Sequence, residues 1–167
     1  LAIWRDPVLR ARELESMQKL NPEWDFMSRT YFVLALANMA LRDPVYEDPA
    51  CEIIDAILEN TLRIEKEKGH TYFLLGYAQR RPWVMSPARS QFIDGEIAIM
   101  MAARRFIRED LRYQRPLQEL ARIMIERMKE ELAKDEVDFQ KLIDYSVSII
   151  IVDEIHSRDE ESFLLAE

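Results

Sequence analysis

The side chains best suited to chemistry lie in one stretch of the sequence, residues 69–96, which also holds all three glycines of the chain. Arginine and aromatic residues are interleaved there, and this combination can bind an anion or stack on a flat ligand. A segment this long without helical periodicity is typical of a functional loop. The candidate ligand-binding residues are His70, Tyr72, Tyr77, Trp83, Arg89, Asp94 and Glu96.

Each of these candidates also has a purely structural interpretation. The aromatic side chains could bury the loop against the rest of the domain while the arginines stay in solvent, and His70 could be a solvated loop histidine. Asp94 and Glu96 lie near the start of a predicted helix, where acids are favoured whether or not they bind anything. If they face a pocket, the helix dipole keeps them ionised, so they would act as bases or cation ligands.

The sequence predicts no metal and no cofactor. The single cysteine, Cys51, excludes a disulfide within the chain and a zinc site built on cysteines. Asp153 and His156 are three positions apart, but two possible ligands do not make a metal site.

Composition limits the class of protein. A chain of 167 residues can form one domain with a substantial core. Its net charge of −8 argues against general nucleic-acid binding, which needs an excess of basic residues. The longest apolar run, residues 31–37, is much shorter than the roughly 20 residues that span a membrane. We therefore expect a cytoplasmic protein without a membrane segment.

Basic residues concentrate in the middle of the chain and acidic residues at its end. Arg104, Arg108 and Arg112 recur every four residues and form a stripe on one helix side. We expect this stripe to pair with the acidic tail, and binding of a phosphate is the alternative.

Prolines preceded by capping residues mark where helices begin. Asp, Asn or Ser before proline is the usual start of a helix, because proline has no N–H to lose at the first position. Gly69 fits the end of the third helix, since glycine readily adopts the left-handed conformation found there. Predicted starts of this kind lie at about Pro7, Pro22, Pro49, and Pro87 or slightly later, and Arg115-Pro116 gives a weaker fifth start.

The helices alternate between one-sided and all-round apolar patterns. Residues 31–41 and 97–103 are apolar on nearly every side, which predicts buried helices. The pattern predicts an all-α fold of stacked helical hairpins, at residues 7–42, 49–108 and 116–152. Residues 142–155 fit a helix or a strand, with a short strand possible at 146–152, because the run is rich in β-branched residues.

This pattern divides the chain into two parts. Residues 1–134 form a helical-hairpin domain, and residues 135–167 form an acidic appendage. The first residue, which is not Met, suggests a piece of a longer protein or an engineered chain.

Residues 4–129 resemble the (α/α)-barrel proteins of the linalool dehydratase/isomerase type, in the runs DFMSRTYFVLALANMAL, ILENTLRIEKEKGHTYFLLGY and ARSQFIDGEIAIMMAARRF. The resemblance implies a ring of helical hairpins with a substrate pocket at one mouth. It also implies that Asp25 and Tyr31, six positions apart, are catalytic residues lining that pocket. The family depends on cysteines later in its barrel, and Cys51 does not match them. Three hairpins are half of such a ring, so the resemblance implies a homo-oligomer or a completing partner chain.

Residues 148–161, SIIIVDEIHSRDEE, are similar to the Walker B segment of DEAH-type helicases. The resemblance implies that Asp153 holds a magnesium ion and Glu154 activates a water molecule. The chain contains no Gly-x-x-x-x-Gly-Lys-Ser/Thr loop, so it would be an ATPase fragment without a phosphate cradle.

Three functions follow from these patterns. The first is a small-molecule pocket that carries out lyase or isomerase chemistry on a small alcohol or polyol. The second is a non-catalytic helical module for interaction or oligomerisation, whose exposed apolar surface another copy or a partner covers. The third is a fragment of a DEAH-type ATPase.

Overall fold

A computed structural model describes residues 2–80 and 89–133, and within these ranges the fold is all-α with no strand. The predicted all-α class is therefore confirmed for this part of the chain. Trp83, the possible strand at 146–152 and the acidic appendage lie outside the described residues. None of the described helices is long and apolar enough to cross a membrane.

The described residues contain seven α-helices and one 3₁₀ turn. Their order along the chain is α1 (Ala2–Arg5), α2 (Pro7–Leu20), α3 (Pro22–Arg42), the 3₁₀ turn (Pro44–Tyr46), α4 (Glu47–Lys68), α5 (Gly76–Gln79), α6 (Gln91–Ile107) and α7 (Leu111–Leu132).

The first two predicted helix starts are confirmed, with the expected caps. Before Pro7, the side chain of Asp6 accepts hydrogen bonds from two backbone N–H groups of the first turn, at 2.9 and 3.1 Å. Before Pro22, Asn21 does the same at 3.0 and 3.1 Å. These caps satisfy N–H groups that the helix itself leaves without partners.

Two other helices begin before their predicted prolines, α4 by two residues and α7 by five. Helix α4 begins two residues before Pro49, directly after the 3₁₀ turn, and tolerates the proline because early N–H groups have no partner inside a helix. Helix α7 begins at Leu111, where the Asp110 carboxylate accepts the Arg112 N–H at 3.0 Å, and Pro116 lies inside it. Pro87 is not among the described residues, but α6 does begin slightly later, after the cap residue Ser90.

The core forms where α3, α4 and α6 meet, with α2 against α3 and α7 against α6. The first two predicted hairpins are present, since α2 contacts α3 and α4 contacts α6. The predicted burial of residues 97–103 is confirmed apart from a half-buried position at residue 99. The largest fully buried apolar side chains are Phe26, Ile53, Ile54, Ile57, Leu58, Phe73, Ile93, Ile97, Met100, Met101 and Leu117.

The predicted all-round burial of residues 31–41 is wrong. Neighbouring helices cover one side of α3, but Tyr31 is 64% exposed and Leu41 is 61% exposed on the other. The sequence shows that both sides of this helix are apolar. It cannot show that the described neighbouring helices pack against only one of them.

The basic stripe does not lie on one helix, because α6 ends at Ile107 and α7 begins at Leu111, and its three arginines pair with acids of α4. Arg104 and Arg112 both bind the Asp55 carboxylate, with closest N···O distances of 2.7 Å, and Arg108 binds Asp48 at 2.8 Å. These ion pairs fasten α4 to the α6–α7 connection. The acidic tail, which we expected as partner, lies outside the described residues.

Candidate functional site

The turn after α4 brings a histidine back onto the end of that helix. Gly69 has a φ of 92°, a left-handed conformation that favours glycine, and its N–H donates to the Glu65 carbonyl at 2.9 Å. As a result, His70 Nδ1 lies 2.6 Å from Glu65 Oε1. The other ring nitrogen, Nε2, lies 3.2 Å from the Ser90 carbonyl oxygen and 3.6 Å from Asp94 Oδ1. The imidazole therefore joins the end of α4 to the start of α6.

Asp94 is the centre of this group of side chains. It lies in the first turn of α6 and is fully buried. Arg89 binds both of its oxygens, Nε to Oδ2 at 3.2 Å and Nη2 to Oδ1 at 2.5 Å. Arg127, from α7, places Nη1 3.0 Å from Oδ2. One carboxylate thus connects α6, the segment before it and α7.

These contacts shift the pKa values of Glu65 and Arg89. Burial raises the pKa of Glu65, but the hydrogen bond and charge of His70, with the charge of Arg89, outweigh burial and leave that pKa below its ordinary value. The hydrogen bond to Asp94 is the main reason why the pKa of Arg89 is raised. We call the five residues the His70 cluster: Glu65, His70, Arg89, Asp94 and Arg127.

The structure brings together three of the seven predicted ligand-binding residues, His70, Arg89 and Asp94. Tyr72 instead packs edge-on against Phe73, with ring centroids 5.2 Å apart. Tyr77 is an exposed residue of α5, and Trp83 is not among the described residues. The remaining candidate is Glu96.

Glu96 lies on α6 at the contact with α3, and no cation of the described residues contributes to its pKa shift. Its Oε2 atom is buried and makes no hydrogen bond to the described residues, and the same holds for the Thr30 hydroxyl. Burial raises the pKa of Glu96, and the nearby Thr30 side chain opposes this only in part. Glu96 is thus a half-buried acid whose environment favours its protonated form.

The predicted catalytic residues Asp25 and Tyr31 are not brought together. Asp25 is buried in α3, where Arg29 Nε binds its Oδ1 at 3.0 Å and Arg29 Nη2 binds its Oδ2 at 3.3 Å. Tyr31 faces solvent on the other side of the same helix. Burial raises the pKa of Asp25 and Arg29 opposes this shift. Within the described part of the chain the two side chains lie on different sides of α3, and their catalytic role stays a prediction.

Arg29 makes Asp25 part of a buried network. Its Nη1 donates to Asn60 Oδ1 at 2.8 Å and to Thr61 Oγ1 at 3.1 Å, both on α4. The guanidinium carbon lies 5.1 Å from the ring centroid of Phe73, within the range of a cation–π contact. Every oxygen-bearing partner of Arg29 is itself buried, so the network holds α3 against α4 and is closed to a ligand.

The uncovered side of α3 is the second feature that can carry function. Its exposed apolar residues include Trp24, which is 70% exposed, together with Tyr31, Leu34 and Leu41. They recur at helical spacing and lie on one side, which we call the α3 outer face. The two charged residues between Trp24 and Leu41 are Asp25 and Arg29, and both are buried on the opposite side. The face is therefore uncharged along most of the helix, and its exposed residues are mostly apolar, with Asn38 as a polar residue among them.

Sequence reasoning missed Glu65 and Arg127 as members of the His70 cluster. Arg127 had a recognisable signal, because it continues the apolar stripe of Leu117, Leu120 and Met124 at helical spacing. A charged residue on the buried side of a helix needs a buried partner. Glu65 gave no such signal, since its approach to His70 depends on the turn at Gly69.

Comparison with known proteins finds no family model, no curated protein and no solved structure that matches the chain. The resemblances to (α/α)-barrel hydratases and to a helicase segment stay predictions.

Proposed function

We propose that this chain is a helical interaction module that self-associates through the α3 outer face. The observation that carries this proposal is the exposure of Trp24, Tyr31 and Leu41 along one uncharged side of a central helix. Contiguous apolar patches with aromatic residues are typical of binding surfaces, whereas scattered exposed apolar residues are not. Exposure of these apolar side chains to water is unfavourable in free energy, and contact with a second apolar surface excludes the water.

A second copy of the chain is the partner that fits this face. Two molecules that each carry a net charge of −8 repel one another. They can approach most easily through a surface without charge, and the α3 outer face is such a surface. A twofold axis places the same face of each molecule against that of the other. Each copy then covers the apolar side chains of its partner, as in most homodimers.

Charges at the two ends of α3 favour an antiparallel arrangement. Glu23 lies in the first turn of the helix and Arg42 in the last. When two copies pack with α3 helices antiparallel, Glu23 of each molecule approaches Arg42 of the other, while Glu23 Oε1 still accepts the Leu75 N–H of its own chain at 3.2 Å. Trp24 and Leu41 come opposite each other in the same arrangement, so apolar groups meet inside the charged ends.

Light scattering during size-exclusion chromatography tests this proposal. We expect a dimer, and a monomer after Tyr31→Glu, because the substitution places a charge at the centre of the contact. The matched control is Leu111→Glu, since Leu111 is 72% exposed but lies on α7, away from the face. A wild-type chain that is monomeric at every concentration, or a dimer that Leu111→Glu breaks and Tyr31→Glu does not, would contradict the proposal.

A second candidate is a small-molecule site for lyase or isomerase chemistry at the His70 cluster. It is favoured by the meeting of His70, Arg89 and Asp94, three residues proposed independently from the sequence. The carboxylate of Glu65 orients the imidazole, which is the arrangement that general acid–base catalysis uses. Incubation with a terpene alcohol and analysis of the products tests it: turnover should disappear in His70→Ala, and no turnover by the wild-type chain removes this candidate.

A further inference from the structure

We propose that Glu65, His70 and Asp94 form a binding site for a divalent transition metal such as Zn²⁺, and that the Arg89 guanidinium occupies this place in the metal-free chain. Each of the three residues offers one ligand atom, and the three atoms lie within 4.8 Å of one another. They come from the end of α4, the turn after it and the first turn of α6. Folding therefore assembles the site from separate parts of the chain.

The distances suit a small ion. His70 Nε2 and Asp94 Oδ1 are 3.6 Å apart. Two ligands bound to zinc at about 2.0–2.1 Å in tetrahedral geometry are about 3.4 Å apart, so this pair needs to move only slightly. His70 Nε2 is the nitrogen for the ion because it lies on the Asp94 side of the ring, whereas Nδ1 faces Glu65 Oε1 at 2.6 Å. Nε2 also lies 3.2 Å from the Ser90 carbonyl oxygen, and this contact gives way to the ion.

The third ligand is the Glu65 carboxylate after a rotation of its side chain. It lies within reach of both other ligand atoms and is 20% exposed, so it has room to turn. Nitrogen and carboxylate oxygen without sulfur suit Zn²⁺, Mn²⁺ or Fe²⁺ rather than Cu⁺.

Arg89 already places positive charge between the two acids. Its Nη2 lies 2.5 Å from Asp94 Oδ1 and 3.7 Å from Glu65 Oε1, so one nitrogen approaches both carboxylates that would bind the ion. A quarter of the Arg89 side chain is exposed, which gives it a path into solvent. A metal ion and this guanidinium compete for the same oxygen atoms.

Arg127 keeps the site in place when Arg89 leaves. It contacts the other oxygen of Asp94, Oδ2, at 3.0 Å, and so leaves Oδ1 for the ion. Partners of this kind orient the carboxylates that bind metals. Without Arg89, Glu65 and Asp94 carry two negative charges against one positive charge from Arg127, and a divalent cation corrects this imbalance.

Replacement of Arg89 tests the proposal because it should strengthen metal binding, whereas loss of a ligand should weaken it. Zn²⁺ is titrated by calorimetry into chelator-treated chain, with circular dichroism to check that each variant is folded. We expect one ion per chain and an affinity that rises about tenfold in Arg89→Met, because the competing cation is gone. His70→Ala should weaken binding by about tenfold or more. His156→Ala is the matched control and should leave binding unchanged.

Two results would overturn the site. One is the absence of saturable binding in both the wild-type chain and Arg89→Met. The other is binding that His70→Ala leaves unchanged.

Discussion

The Asp25–Arg29 network and the His70 cluster are both built from acids and arginines, but they differ in access to solvent. The side chains of Asp25 and Arg29 are 1% and 0% exposed, and their partners Asn60 and Thr61 are buried as well. In the His70 cluster Asp94 is equally buried, yet Arg89 and Glu65 reach the surface.

Access to solvent distinguishes charged side chains that only hold the fold together from charged side chains that can bind a ligand. In the network, every group has a fixed partner and no neighbour can move away without leaving a charge unpaired. In the cluster, Arg89 can exchange its carboxylate for water, and the carboxylate can accept another cation. Asp25, which the resemblance to linalool dehydratase/isomerase proteins implies to be catalytic, lies in the network that is buried from solvent. His70 lies in the cluster whose side chains reach the surface.

The largest effect is expected from Asp25→Ala. It leaves Arg29 charged and buried without its counter-ion, which typically costs about 3–5 kcal/mol of unfolding free energy. Chemical denaturation measures this loss. Tyr31→Ala is the matched control on the same helix, and it should change stability by less than about 0.5 kcal/mol because its side chain is mostly in solvent. Similar small losses for both variants would show that the network is not structural.

A double replacement refines this prediction. In Asp25→Leu with Arg29→Met, both charges are gone and apolar groups of similar size fill the space. Because an intact apolar replacement is often tolerated where a broken ion pair is not, the double variant should be more stable than Asp25→Ala. A double variant that is less stable would mean that the hydrogen bonds to Asn60 and Thr61 matter more than the paired charge.

A smaller loss is expected from Asp94→Asn in the His70 cluster. The amide keeps the shape of the side chain but weakens its bonds to Arg89 and Arg127, and hydrogen bonds to charged groups contribute about 1.5–3 kcal/mol. Arg89 can compensate by turning to solvent, so the loss should be smaller than for Asp25→Ala. Glu59→Gln is the control, since Glu59 is an exposed partner of Arg112. A loss equal to that of Asp25→Ala would make the two regions alike.

The sequence predicted local structure better than it predicted contacts between distant residues. The starts at Pro7 and Pro22 follow from capping by Asp6 and Asn21, which acts over three residues. The all-α class follows from the helical spacing of apolar residues. The start of α7 was missed because Pro116 was interpreted as a first residue, although Asp110 caps the helix earlier.

Contacts across the fold depend on information that no short stretch contains. His70 was predicted in a ligand-binding loop, but its partner Glu65 depends on the left-handed turn at Gly69. Arg29 and Arg127 both lie on apolar stripes, and this position is the signal from which a buried ion pair could have been predicted. The outer side of α3 looked like core because its composition is apolar, and only the arrangement of neighbouring helices shows that it is exposed.

The smallest effect concerns Glu96, an acid that differs from both regions because no cation in the described part of the chain pairs with it. Its pKa in the folded chain is raised above the ordinary value of about 4.5. The folded state therefore holds this proton more tightly than the unfolded state does. The stability that this residue contributes is present below about pH 4.5 and is lost as pH rises through the folded pKa.

Glu96→Gln should remove that loss, so the variant should be slightly more stable than the wild-type chain at pH 7 and equal to it near pH 4. Thermal unfolding at both pH values measures the difference, and Glu59→Gln, an exposed acid, should show no such pH-dependent gain. A variant that is less stable at pH 7 would mean that a partner in the folded chain stabilises the Glu96 carboxylate.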